Sequence, residues 1–233
     1  MANRILLIIT ILGLLTTITV TAQERLQKNG NTEKIKGTRF IPYPGYSGSP
    51  YLTDKFVVGE IEFLDGVKAG NLGLRYSSYQ DELIYYNSVV SAQIIIDKIS
   101  LKGFSFTDDK GETRVFRRQY YNGLFHEERF FEVLSDGKFS LLVYRKVDLE
   151  TCDISYNKFG LAFQPSFYYY IYSADKGYSP IKMNRSSLLS KFNKPNQKLV
   201  KKMLRKNKVL IEDEHSFVAA WNLIKDKEIE IIY

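Results

Sequence analysis

Disulfides, histidine chemistry and internal repeats are all but missing from this chain. A single cysteine, Cys152, stands among 233 residues, so no intrachain disulfide can form and core packing alone must hold the fold, even in an oxidising compartment. Neither histidine is close to Cys152 in sequence, so the thiol is expected to be buried and inert rather than a nucleophile. The only two histidines, His126 and His215, do not form His-Glu-x-x-His, and His126 has no second ligand within a turn. His126 reads as a loop residue or strand start, and His215 as a surface residue in the first turn of a helix. Gly45-Tyr46-Ser47-Gly48-Ser49 falls short of a nucleophile elbow, which needs glycine at position 49 and a strand and helix on either side of the serine. Asp108, Asp109 and Glu112 lack the alternating spacing of a calcium loop. Among 26 acidic residues no pair is marked out for glycoside hydrolysis. The sequence thus offers no catalytic residue, no metal ligand set and no cofactor motif.

What is present begins with an export signal. Arg4 supplies a positive start, Ile5 to Val20 is uncharged and mostly apolar, and Val20-Thr21-Ala22 places small or short residues where signal peptidase reads. Residues 1–22 are therefore expected to be a cleavable signal peptide, taking the chain to the periplasm, the outer membrane or the medium. An uncleaved anchor is the alternative, because the run approaches the length of a membrane-spanning helix. Thr16, Thr17, Thr19 and Thr21 dilute it. With Cys152 the only cysteine, lipoprotein acylation just after the signal is excluded. Residues 23–39 are polar and without apolar period, as in a flexible tether.

The body of the chain is rich in strand formers. Hydrophobic residues make up 44% and charged residues 25%, which excludes wholesale disorder. The 17 tyrosines and 15 phenylalanines favour sheet. Phe40 to Tyr51 mixes proline and glycine with aromatics and reads as a stiff segment lying across a sheet face or closing a barrel end. Strand patterns follow at 56–63, 72–76, 81–86, 92–99, 103–106, 113–117, 129–134, 139–144, 167–172 and 178–182. Asp65-Gly66, Asp109-Lys110-Gly111 and Ser135-Asp136-Gly137 supply turn chemistry between them. Residues 40–184 are expected to form one mainly β (α+β) domain, an antiparallel meander curled into a barrel-like or sandwich shape.

From residue 185 to 233 the period becomes helical. Pro195 suits a first helical turn, Leu199, Val200, Met203 and Leu204 form a stripe, and Asn207 reads as a left-handed cap. Asp213 is an N-cap for a second helix in which Phe217, Trp221 and Ile224 share a face. The two helices are expected to pack as a hairpin on the sheet.

Two groups of residues are candidates for binding. In Phe167-Tyr168-Tyr169-Tyr170-Ile171-Tyr172, alternation puts Tyr168, Tyr170 and Tyr172 on one face, a platform for sugar rings that Tyr85, Tyr86, Tyr120 and Tyr121 would extend. Tyrosine rows also serve simply to cover a sheet while keeping their hydroxyls wet. The second group is Lys198, Lys201, Lys202 and Arg205, joined by Lys206 and Lys208, opposite or beside the apolar stripe as in helices that rest on anionic membranes. A solvated face is the plain alternative. The net charge of +7 is modest, and export argues against nucleic acid. An outer-membrane barrel is a rival architecture, opposed by short strands and a charged helix pair.

Gly48-Ser49-Pro50-Tyr51-Leu52, Leu74-Arg75-Tyr76 with Asp81-Glu82-Leu83, Phe131-Glu132-Val133-Leu134 and the lysine-rich helix pair together resemble an uncharacterised family of exported proteins from Bacteroidetes-type bacteria. The likeness spans about Gly48 to Ile224, and the tail from Ile229 to Tyr233 departs from it. The resemblance implies an envelope location and a β-rich fold, and carries no catalytic residue. The expectation is a non-catalytic binding or structural module that meets envelope glycan or an anionic membrane surface, without cofactor. A glycan or envelope hydrolase and an outer-membrane-associated protein are the alternatives.

Overall fold

Alternating apolar side chains, broken by Asp-Gly turns, fold into eleven strands among the described residues. The computed structural model describes residues 31–43, 45–122, 126–155, 158–225, 227, 231 and 232. The expected signal peptide and residues 23–30 of the expected tether lie outside that set. The strands are β1 (Gly37–Arg39), β2 (Val57–Phe63), β3 (Lys68–Ser77), β4 (Glu82–Asn87), β5 (Ala92–Ile96), β6 (Leu101–Thr107), β7 (Thr113–Asn122), β8 (His126–Ser135), β9 (Ser140–Ser155), β10 (Lys158–Ser173) and β11 (Gly177–Ile181). They form one antiparallel sheet in the order β1-β5-β4-β3-β2-β6-β7-β8-β9-β10-β11. This is the mainly β meander expected, and the sheet is not closed into a barrel. The end of the expected tether is ordered: Gly37, Thr38 and Arg39 pair with Ile96, Ile95 and Ile94.

The sheet curls twice, in opposite senses. Laid flat, β3 and β7 would stand roughly 14 Å apart, three strand spacings, yet the rings of Tyr76 and Phe116 are 5.2 Å apart. One face of β2–β8 therefore wraps a first core of Ile61, Leu74, Tyr76, Phe104, Phe106, Phe116 and Phe130. Successive strand residues point to opposite faces, and Phe131 accordingly belongs to a second core with Leu142, Tyr144 and Tyr170. There β7 and β11, four spacings or roughly 19 Å apart in a flat sheet, come together: the Tyr178 hydroxyl donates to Gln119 Oε1 at 2.9 Å.

Between the two curls β8 and β9 part company. Their ladder is confined to Glu132↔Val143, Val133↔Leu142 and, past a bulge, Ser135↔Leu141. The tip of the β3–β4 hairpin fills the opening. Asp81 accepts from the Phe130 backbone N–H at 3.3 and 3.4 Å, and the Ser78 carbonyl accepts from Val147 N–H at 3.1 Å. Two strand amides that would otherwise be orphaned by the divergence are thus satisfied. Asp81 also accepts from the Tyr76 hydroxyl at 2.6 Å and from Lys98 Nζ at 2.5 Å. Burial raises its pKa against the opposing pull of Lys98, Tyr76 and the Phe130 amide.

The proline-rich segment acts as a strap. Phe40 N–H donates to Gln93, Ser47 exchanges backbone bonds with Leu161 and Phe163, and Leu52 N–H donates to Tyr76, while Tyr43, Tyr79 and Phe163 pack ring on ring. The Ser47 contacts show that odd-numbered residues of β10 direct their backbone groups to its outer edge. Pro165 is the next of these, and Pro180 holds an outward position on β11 beside the inward Ser179 and Ile181. Neither has an N–H to offer a foreign strand, so the open edge is blunted.

Among the described residues three helices follow rather than two: α1 (Arg185–Ser190), α2 (Lys194–Lys206) and α3 (Glu214–Ile224). Asn184, Asn193 and Asp213 cap them, the last in a reciprocal capping box with Ser216. Val200, Leu204, Phe217, Trp221 and Ile224 pack with Leu141, Ile171 and Ile181 in a third core on the sheet face behind the tyrosines. Leu199, assigned to the same stripe by sequence, is 46% exposed. Asn207 is not the left-handed residue; its side chain donates to the Met203 carbonyl, and Lys208 takes the positive φ of 53°. An ion-pair cluster ties α3 to the sheet. Buried Arg145 donates to Glu132 and Glu214, both at 2.6 Å, Arg114 donates twice to Glu132 at 2.7 Å, and Tyr169 donates to Glu214 at 2.8 Å.

Candidate binding groove

The parting of β8 from β9 leaves a groove of about 320 Å³ on the second curl's inner face, lined by Tyr121, Arg129, Phe131, Tyr144, Lys146, Tyr168 and Tyr170. Register places these side chains. Across β9 and β10, Leu142 stands opposite Tyr170, Tyr144 opposite Tyr168, and Lys146 opposite Ser166. The face therefore grades from buried and apolar at Tyr170 to polar at Lys146. Arg129 and Phe131 of β8 form the facing wall.

The three sequence candidates do share a face but have different roles. Tyr170, 9% exposed, is packed against Tyr121, Phe131 and Tyr178. Tyr172 lies against Tyr178 with ring centroids 4.8 Å apart and does not line the groove. Tyr168 is 46% exposed and stacks nearly parallel to Tyr144, at 26° and 6.4 Å. Tyr121 lines the groove beside Tyr168 and Tyr170. Tyr85 belongs to the first core and Tyr86 packs on Phe56, so the platform is not extended by β4. Arg129, Phe131, Tyr144 and Lys146 were not among the binding candidates read from the sequence; the signal available was the period-two alternation of β8 and β9, which gives no hint that residues of β7 and β10 meet them in one groove.

The groove is cationic at its rim and neutral on its floor. The Arg129 guanidinium sits 4.6 Å from the Tyr144 ring centroid, donates to the Tyr144 hydroxyl, and pairs with Glu127 at 2.6 Å. Lys146 pairs with Asp148 at 2.6 Å. Burial pushes the Tyr144 hydroxyl up to about 12, helped by the charge of Asp81 and opposed by Arg129; burial likewise raises Tyr170 and Tyr178. These hydroxyls stay neutral at physiological pH. Among the described residues, no carboxylate lines the groove.

Three larger concavities occur among the described residues, one of them the basic surface of α2, about 570 Å³. A second, also of about 570 Å³, along Phe167, Tyr169, Ile181 and Met183 is mainly apolar. Another, about 590 Å³, differs from the groove in bringing carboxylates, Glu60 and Glu62, into its lining beside Lys68, Lys102 and Arg117.

All of the basic candidates but Lys208, which lies past the end of the helix, fall together on α2. Lys198, Lys201, Lys202, Arg205 and Lys206 are all exposed and share one surface. At 3.6 residues per turn they span an arc of roughly 140°, opposite buried Val200 and Leu204. None forms an ion pair with a described residue. His215 is exposed in the first turn of α3, the side chain of His126 lies outside the description, and Cys152, expected to be buried, is only half-buried.

No family model matches the chain, and neither the curated proteins nor the solved structures provide a match. No helix among the described residues is long and apolar enough to cross a membrane.

Proposed function

We propose that this chain is an exported protein of the cell envelope that acts as a non-catalytic binding module and holds a glycan ring in the β8–β9 groove. The exposed ring of Tyr168 over Tyr144 carries this reading, because a flat aromatic face beside hydrogen-bonding groups suits the apolar face and hydroxyl rim of a sugar. A hydrolase would need two carboxylates flanking the sugar, and the groove supplies none. Export rests on the expected signal at 1–22, and the likeness to exported Bacteroidetes-type proteins supports the same location. Titrating the protein with soluble fragments of envelope glycan should perturb the NMR signals of Tyr168 and Lys146, and Tyr168→Ala should weaken binding at least tenfold without changing the fold. Glycan cleaved by the protein, or signals unmoved by any fragment, would refute the proposal.

The unpaired arc of cations on α2 favours a second contact, with an anionic membrane surface, each cation near such a surface contributing about 1 kcal/mol. The processed protein should then sediment with vesicles containing phosphatidylglycerol and be released by 0.5 M salt, on the order of the screening expected at that ionic strength. Lys198→Glu with Lys202→Glu should abolish sedimentation. Binding that persists in salt or survives the double substitution would contradict it.

A further inference from the structure

We infer that the sugar received by the groove is an acidic one, bearing a carboxylate beside the ring that stacks on Tyr168. This rests on the groove reading above and adds a ligand class to it. Side chains two residues apart on a strand stand roughly 7 Å apart, about the width of one pyranose ring. A ring lying over Tyr168 therefore brings its substituents to the next cross-strand pair, Lys146 and Ser166. Arg129 approaches from the opposite wall, its planar group already held over Tyr144 and fixed by the Tyr144 hydroxyl and Glu127. A donor oriented before the ligand arrives loses little freedom on binding.

The groove's charge is one-sided. Two cations line it, and the carboxylates that offset them, Glu127 and Asp148, do not. Both pairs are partly open to solvent, with Glu127 half-exposed and Lys146 about one-third exposed. Such pairs contribute little to stability, so a ligand carboxylate can take over Lys146 from Asp148 without a large penalty. Glu127 and Asp148 stay outside the lining itself, each beside the cation it pairs with. Neutral sugars would stack on Tyr168 and leave the rim cations unused.

The matched probes are N,N′-diacetylchitobiose and the N-acetylglucosaminyl-N-acetylmuramic acid disaccharide, which share a backbone and differ by one lactyl carboxylate. Calorimetric titration of the full mature chain should show the muramic disaccharide binding at least tenfold more tightly, with the preference shrinking as salt rises. Lys146→Gln, at a partly exposed position, should shrink the preference for the acidic probe over chitobiose to less than about twofold; Tyr168→Ala should weaken both. A digalacturonate arm separates a muramic-type ligand from acidic sugars at large: tight binding there too makes the carboxylate alone the determinant, and weak binding there makes the acetylated backbone part of it. Equal binding of the two matched probes overturns the acidic selection while the groove stands. A preference that survives Lys146→Gln also overturns it. Binding of no probe removes the groove reading itself.

Discussion

At the scale of the residue, most polar groups drawn into this protein's interior serve to hold the curled sheet. Asp81 meets three donors at the divergence of β8 and β9, and no apolar replacement can meet them. Asp81→Ala should cost about 2–3 kcal/mol, since leaving buried donors unmatched is more damaging than losing a surface bond; urea unfolding measures it. Glu214 shows the acid side of the same economy. Burial tends to raise its pKa, but bonds and charge from Arg145 and the Tyr169 hydroxyl outweigh that and lower it. A lowered folded pKa means stabilisation that is complete above the unfolded value of about 4.3 and is lost as pH falls through the folded value. Asp136, held at about 2 by Arg117 and Ser140, adds a loss of the same sign between about 4 and 2. The gap in melting temperature between the natural chain and Glu214→Gln should therefore be full at pH 7 and close below pH 4; an unchanged gap would show that Glu214 stays uncoupled from folding.

At the scale of the element, local chemistry made most strands readable. Asp65-Gly66 carries its glycine at φ 81° with Asp65 accepting the Val67 N–H at 3.0 Å, which is what an Asp-Gly turn provides. Asp213 caps α3 as its position before Phe217, Trp221 and Ile224 required. The middle of the β9–β10 ribbon went unread although Val147 and Leu149 alternate with Lys146, Asp148 and Glu150; on the partner strand Gln164, Pro165 and Ser166 break the pattern, and the two are held by their ladder. β1 was missed for a related reason: all three residues are exposed, and backbone pairing to β5 supplies the order. The prolines on the free edge give an element-level prediction. Pro180→Val restores an N–H and a strand-forming side chain at the outward position of β11, so the variant should self-associate in size-exclusion chromatography at concentrations where the natural chain elutes as one species. An unchanged elution volume would mean that something other than Pro180 protects the edge.

At the scale of the whole molecule, two oppositely curled halves share a short seam. Three residue pairs join β8 to β9, side-chain bonds such as Arg145 to Glu132 cross between them, and the β3–β4 tip supplies further bonds where they diverge. The amides of Phe130 and Val147 report on this directly. In Asp81→Ala, hydrogen exchange at Phe130 should quicken at least tenfold while amides of the α2 and α3 core stay protected, because the first half opens without the second. Equal acceleration everywhere would show instead that the halves unfold as one.

Composition and period were enough for the class of fold: aromatic and β-branched alternation demands a sheet, glycine turns set four of its hairpins, and caps with apolar stripes set the last two helices. The tyrosine row was visible too, since alternation alone puts Tyr168, Tyr170 and Tyr172 on one side. Which of those rings meets solvent was decided by tertiary structure. Curvature is a property of many strands at once, and it buried Tyr170 under Tyr178, left Tyr168 open over Tyr144, and brought Arg129 from another strand to the same groove. No local pattern encodes a meeting between residues whose strands approach one another only when the sheet bends.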